Sequence, residues 1–452
     1  MKSIYILVFF VFLSLLSCKK EEPNGTFAAS GRVINAFGTG LAQIKVYRNA
    51  TDFVLTDASG GFSFSDLTGT TTLTVIDSAF SFSPPTVTVS GPTSGVTFVA
   101  QPIFSAKEAQ IYNWLKNMQL GNGLLESTEN NNTVSLYDNA LAAMVSMLNG
   151  DFVRAEKIFD FFKGRINSEL LSGNGGFSQF RNSQGTPTGN RWMGDNAWLL
   201  IALNNYKAST GNTKYDALAA GISNWLIGLQ DTDGGLFAGY GANNALLNYK
   251  VTEGNIDAFN AIDGYTTFHS NLLNFLETDR WDATDKNLVS WPTNPAYLYA
   301  LDNHSWSYCI FPNYPVSALT SASRFLNSKT VTLTGLQITG YDIDEDKDMV
   351  WLEGTGQMAL AFKLAGMPAE ANFYLNEMEK AFVASAIHVD SYGFPYASNL
   401  GTGYGSDPLW AGADTKIAIS GGAWYIFAKS GFNPFGVGRQ KNIPATDMFW
   451  LE

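Results

Sequence analysis

The sequence predicts a mainly helical protein whose larger part is a toroid of six helical hairpins, an (α/α)6 ring, carried behind a small β-sandwich. Three observations predict it. From Ser105 onward the apolar residues fall at helical spacing. In that stretch a nearly all-apolar segment followed by an amphipathic one recurs roughly every 50–70 residues. Residues 28–102 instead show short alternating runs of Thr, Val, Ser and Phe.

In chain order, Met1-Lys2 precedes an apolar run from Ile4 to Leu16, then Ser17-Cys18. The run is too short to span a bilayer and has the make-up of a signal-peptide core, so residues 1–17 read as a signal peptide. Leu15-Leu16-Ser17-Cys18 resembles a lipobox, the cleavage motif of bacterial lipoproteins. That resemblance implies a lipid on Cys18 and attachment at the outer membrane or cell surface, with a periplasm-facing position also open. Cys309 is then the other cysteine, and no intramolecular disulfide can form. Residues 18–27 read as a tether, in which Lys19-Lys20-Glu21-Glu22 resembles the charged export tag of Bacteroidetes-type surface lipoproteins and reads equally well as a solvated spacer.

Within residues 28–102, Gly31–Ile34, Ile44–Tyr47, Gly61–Phe64, Thr72–Val75 and Val96–Val99 read as strands. Thr56-Asp57-Ala58-Ser59-Gly60-Gly61-Phe62 reads as a turn, with Asp57 and Gly60 supplying local hydrogen bonds and permissive φ. The Gly-Arg-Val start, the Val-Tyr strand and this turn resemble carboxypeptidase regulatory-like, transthyretin-like modules. No titratable cluster is present, so the segment reads as a spacer or positioning module.

Residues 103–436 carry the toroid. The apolar segments begin near Tyr137, Asp195, Glu253, His304, Glu353 and Gly421. The amphipathic ones fall near 106–119, 152–170, 212–229, 268–280, 317–327 and 368–385. Helices apolar nearly all round are buried and amphipathic ones cover them, which gives an inner and an outer ring. Pro312 and Pro315 cut the fourth hairpin short, and residues 437–452 remain as a C-terminal tail. Turns from inner to outer helices are short, as at Asn149-Gly150-Asp151, whereas the stretches leading into inner helices, such as 172–194, 231–252 and 388–420, are long. Long loops gathered at one end of a ring mark a binding face.

Composition narrows the ligand. A formal net charge of −12, with no basic run longer than Lys19-Lys20, excludes nucleic acid. Three His and two Cys leave little for a transition-metal site. The acidic stretch Asp342, Asp344, Glu345, Asp346 and Asp348 reads as a solvated loop, so no metal and no cofactor is expected. Charged residues make up 15%, against roughly 25% in an average protein, while aromatics reach 14%. Such a chain suits a polysaccharide or oligosaccharide, whose C–H faces stack on aromatic rings.

Carboxylates at the starts of the inner helices are the catalytic candidates: Asp138, Asp195, Glu253 and Glu353, with Asp302 just before the fourth. Glycoside hydrolysis needs one protonated carboxyl and one ionised. A first-turn acid also stabilises its own helix through the dipole by about 0.3–1 kcal/mol, so each has a structural reading as well. Tyr137, Trp198, Thr252 to Ala258 and Trp351 to Gln357 together resemble the six-hairpin glycosidase superfamily over about residues 105–435. The resemblance implies cleavage of glycosidic bonds by acids at inner-helix ends but carries over no assigned pair. Tyr137, Arg191, Trp192, Trp198, Asp257, His304, Trp306, Trp351, Gln357, Tyr392 and Tyr396 are candidates to hold substrate. A polysaccharide lyase would need a cationic subsite, for which only Arg191 and His304 are available; a non-catalytic glycan-binding lipoprotein would need neither.

Overall fold

The computed structural model describes residues 25–404 and 407–451. The expected signal peptide, Cys18 and the expected tether up to residue 24 lie outside the described residues. No helix among them is long and apolar enough to cross a membrane.

The N-terminal strands are β1 (Phe27–Asn35), β2 (Lys45–Tyr47), β3 (Phe53–Leu55), β4 (Gly61–Leu67), β5 (Thr71–Val75), β6 (Phe80–Ser83), β7 (Thr86–Val89) and β8 (Thr93–Pro102). They form two four-stranded sheets, ordered β4-β1-β8-β6 and β3-β2-β5-β7. β1 and β8 run parallel, and the other pairs antiparallel. Period-2 alternation buries Phe62 and Phe64 of β4 while Ser63 and Ser65 face out. These rings meet Val46, Leu73 and Val75 of the other sheet in one core, so the two sheets pack face to face. The alternation reveals five of these strands in the sequence; β3 and β6 bury no residue fully and β7 only Val89, so they carry little core pattern to read.

The helical part begins with α1 (Ala106–Met118) and α2 (Leu136–Leu148), followed by α3 (Phe152–Lys163) and α4 (Met193–Thr210). Next come α5 (Asp216–Ile227), α6 (Thr252–Ala261), α7 (Thr267–Asp279) and α8 (Leu301–Ile310). The series ends with α9 (Ser317–Ser321), α10 (Leu352–Leu364), α11 (Pro368–Glu379) and α12 (Ile419–Ser430). Even-numbered helices form the inner ring: each packs on the next, and α12 returns to pack on α2, closing it. In α2, eleven of thirteen residues are buried, whereas the outer α3 buries Ala155, Ile158, Phe159, Phe161 and Phe162 and turns its other side to solvent. The fourth hairpin is the most abbreviated, with α9 continuing as a 3-10 turn over Ala322–Phe325.

A repeated side-chain device ties the long loops to the inner helices. In the first turn or two of α2, α4 and α6, Asn139, Asn196 and Asn255 each accept from the backbone N–H of a loop residue, Leu125, Phe177 and Leu236, at 2.7–2.9 Å. Each also donates to that residue's carbonyl at 3.0–3.4 Å. In α10 a Thr serves the same end: Thr355 Oγ1 accepts from Tyr341 N at 3.0 Å. The loops themselves repeat. Gln119 and Gln230, just after outer helices, donate to the carbonyls of Gly123 and Gly234 at 3.0 and 2.9 Å. Both glycines have positive φ, and a Cβ there would lie within 2.4 and 2.1 Å of a neighbouring helix carbonyl.

The β-sandwich docks where the inner helices end. Phe37 stacks on Phe432, just past α12, at 4.7 Å, and Gln101 donates to the carbonyl of Leu148, the last residue of α2. The C-terminal segment is no loose tail. Trp450 lies against Phe311 at 4.8 Å and donates to Pro312 O at 3.0 Å, and Phe449 contacts Trp281, so the tail is part of the toroid's core.

Candidate active site

The opposite end of the ring opens into a cavity of about 840 Å³. Its walls come from the first turns of the inner helices: Asp138 of α2, Asp195 of α4, Glu253 and Asp257 of α6, Asp302 of α8, Glu353 of α10 and Ser420 of α12. All six inner N-termini therefore point into one space. The floor is aromatic. Trp198, Trp306 and Trp424 come from equivalent turns of α4, α8 and α12 and pack on one another at 5.3–6.4 Å, with Phe435 at 4.8–6.4 Å to them. One side of the mouth is a run of rings, Trp192, Tyr249, Trp291, Tyr297 and Tyr404, spaced 5.0–5.9 Å apart, with Tyr249 and Trp291 stacked.

Two opposing effects act on the acids. A helix N-terminus favours the ionised form, while removal from water favours the neutral one. Removal from water wins. Burial pushes Asp138 up to about 7 against a hydrogen bond from Ser127. It pushes Asp195 up to about 7 as well, with the backbone N–H of Tyr137 opposing and the Asp138 charge adding to the rise. Asp302 reaches about 7 through burial and the Glu253 charge, although Tyr404 donates to its Oδ2 at 2.9 Å. Glu353 is pushed furthest among those with a definite value, to about 8, by burial and by the nearby Asp302 and Asp138 charges. Its Oε1 accepts from the Tyr137 hydroxyl and, at 3.3 Å, from Gln357, and Trp424 Nε1 in turn holds Tyr137 at 2.8 Å. Burial also raises Glu253, but the Ser290 hydroxyl, its own backbone N–H and the Arg280 charge all work to keep it ionised. Asp257 stands well above the ordinary range through burial and the charges of Asp302, Glu253 and Asp195.

Twelve of the sequence-derived candidates line this cavity: Glu253, Glu353, Asp138, Asp195, Asp302, Tyr137, Trp192, Trp198, Asp257, Trp306, Trp351 and Tyr396. Four do not. Arg191 lies in a short strand pairing with Tyr240 and reaches outward to Asn244. His304 faces away from the cavity toward the outer layer, with Nδ1 2.8 Å from Ala318 O, and burial lowers it to about 4. Gln357 is fully buried beneath Glu353 and supports it without reaching the cavity. Tyr392 stacks on Phe382 at 5.3 Å, outside the ring of inner helices. Tyr404, Trp291, Tyr249, Tyr297 and Asp407 line the mouth and were not singled out from the sequence.

In the acidic stretch before α10, carboxylate oxygens of Asp342, Asp346 and Asp348 lie within 4.8 Å of one another. Both Asp342 oxygens accept from backbone N–H groups, of Ile343 at 2.7 Å and Met349 at 3.0 Å, so this acid shapes the turn that leads into Trp351.

No family model matches the sequence, and no curated protein matches it either. Solved structures do resemble it in fold. A D-mannose isomerase superposes with a TM-score of 0.52 at 10% identity, over 73% of this chain and 96% of the isomerase. A novel alpha-amylase from Clostridium perfringens gives 0.51 at 11% identity, over 73% and 99%. Cellobiose 2-epimerase from Bacillus thermoamylovorans B4167 gives 0.50 at 10% identity, over 71% and 96%. At such identities the likeness extends to the helical ring and its closure.

Proposed function

We propose that the cavity hydrolyses a glycosidic bond, with Glu353 as proton donor and Glu253 as its ionised partner. One observation carries this reading: acids from five inner helices converge in a single desolvated, aromatic-walled cavity. Hydrolysis starts from a donor that holds its proton near neutral pH, and Glu353, at about 8, does so. As the bond from the anomeric carbon to the glycosidic oxygen breaks, the Glu353 proton passes to that oxygen. The Glu253 carboxylate answers the positive charge developing at the anomeric carbon; water then adds its hydroxyl to that carbon, and its remaining proton restores the acid carboxyl. The aromatic run at the mouth gives sugar rings faces to stack on. The lyase alternative is less well supported, because among the described residues no Lys, Arg or His lines the cavity to receive a uronate carboxylate.

Release of reducing ends from a glycan panel tests the reading. Glu353→Gln and Glu253→Gln each lower the rate by about 10²–10⁴-fold while the circular dichroism spectrum stays native. Full turnover in both variants removes the pair from the chemistry.

The chain's attachment belongs to the same proposal. Lipidation at Cys18 places the β-sandwich next to the membrane, and that domain docks on the end of the ring remote from the cavity. The mouth then faces away from the bilayer, toward incoming glycan. Cell-expressed protein partitions into the detergent phase of a phase-separation assay, and Cys18→Ser moves it to the aqueous phase; an unchanged partition rules the anchor out.

A further inference from the structure

We infer that the ligand of this cavity is a cation, an amino sugar whose free amine enters as ammonium. This deepens the hydrolase reading and rests on it for the bond that is cut. The sequence points to a sugar; the structure adds its charge.

Six acids from the inner helices and Asp407 at the mouth line the cavity, and among the described residues no Lys, Arg or His lines it with them. Hydrolysis uses two of these acids, so the others require a separate reason. Burial by itself holds Asp195, Asp257, Asp302 and Glu353 toward their neutral forms, and a cation entering among them favours the ionised forms instead, which a neutral ligand does not do. The cation felt by Glu253, Arg280, sits behind the wall, stacked on Phe275 at 4.6 Å.

Two atoms show where the charge goes. Asp257 Oδ1 and Asp302 Oδ1 have no hydrogen-bond partner, although their residues are only 2% and 6% exposed and both line the cavity. Each is an acceptor withheld from water. An ammonium carries three donors and a full charge, which is what each of these oxygens lacks. Trp198 and Trp306 below them add ring faces, which attract a desolvated cation.

Among the described residues, three carboxylates gathered within reach of one ion occur at Asp342, Asp346 and Asp348, none of which lines the cavity. The acids are spread around a volume of about 840 Å³, which fits an organic ligand of sugar size.

The experiment is equilibrium binding to the intact protein by calorimetry or ligand-observed NMR. The probes are glucosamine, galactosamine and mannosamine, each against its parent hexose and its N-acetylated form, at a pH where the amine is protonated. At least one amino sugar is expected to bind tenfold or more tightly than both neutral counterparts. Asp257→Asn and Asp302→Asn, which keep shape and remove charge, are expected to shrink that ratio severalfold. Equal or tighter binding of every neutral form, or no binding of any amino sugar, overturns the inference whether or not the variants fold. Failure of the parent reading looks different: amino-sugar oligomers bind selectively but release no reducing ends. Cleavage of a neutral glycan together with no amine preference leaves the hydrolase standing and removes the cation.

Discussion

Tyr137 shows how one hydroxyl sets the working range of a catalytic carboxyl. It donates to Glu353 and thereby favours the ionised acid, against the burial that favours the neutral one. As donor, Glu353 works only while protonated, so kcat/KM falls as pH rises through about 8. Tyr137→Phe removes the opposing donor, the Glu353 pKa climbs further, and the alkaline limb of the pH–rate profile moves to higher pH. A limb that stays in place or moves down contradicts the assignment. At this scale the acids were legible in the sequence because a carboxylate opening an otherwise apolar helix stands out. Direction was not legible. Arg191 adjoins the same helix start as Trp192 yet turns outward on its strand, and His304 sits one turn into α8 but faces α9. Tyr404 and Trp291 lie in loops, where no periodicity says which way a ring points.

Among the elements, the asparagine clamps decide where the long loops run. Asn196 satisfies both the N–H and the carbonyl of buried Phe177 and also donates to Trp192 O at 2.9 Å. Asn196→Ala leaves both groups unpaired and is expected to cost about 1–3 kcal/mol in a urea titration. Gly234→Ala combines a φ of +97° with a Cβ placed 2.1 Å from Asn271 O. Its cost is expected at about 1–3 kcal/mol for strain alone, plus displacement of the α7 end; a change under about 0.5 kcal/mol would show that the turn relaxes freely. The helix pairs themselves were plain from the alternation of all-apolar and one-sided segments. The clamps were also present in the letters, as Gln119 to Leu125 and Gln230 to Leu236 share a Gln-x-x-x-Gly-x-Leu spacing. Two copies far apart, inside loops, give no hydrophobic period to draw the eye. What the C-terminal tail packs against was not legible for a related reason: Phe449-Trp450 is too short a run to reveal that it fills a gap beside the fourth hairpin, where α9 is only five residues long.

For the molecule as a whole, the crowded acids tie stability to pH. Asp138, Asp195 and Asp302 titrate near 7 and Glu353 near 8 in the folded chain, against 3.8 and 4.5 for the free groups. The folded state binds more protons, so their contribution is complete below about pH 4 and disappears as pH rises through 7–8. Buried His269 and His304, lowered to about 4, act in the opposite sense below 6.5, and Lys441, lowered to about 8, does so above that value. Between about pH 6.5 and 8 the carboxyls dominate, and Tm measured by calorimetry should decline across that interval; a flat or rising Tm there contradicts the burial of these groups. Closure of the circle by α12 on α2 has a consequence for biogenesis. A chain delivered N-terminus first presents α2 early, yet that helix has one flank bare until residues 419–430 arrive. Every partial product is an arc with two sticky edges, and neighbouring arcs can join each other instead of themselves. The arrival of α12, rather than the emergence of any earlier hairpin, is therefore the moment at which the ring can complete itself.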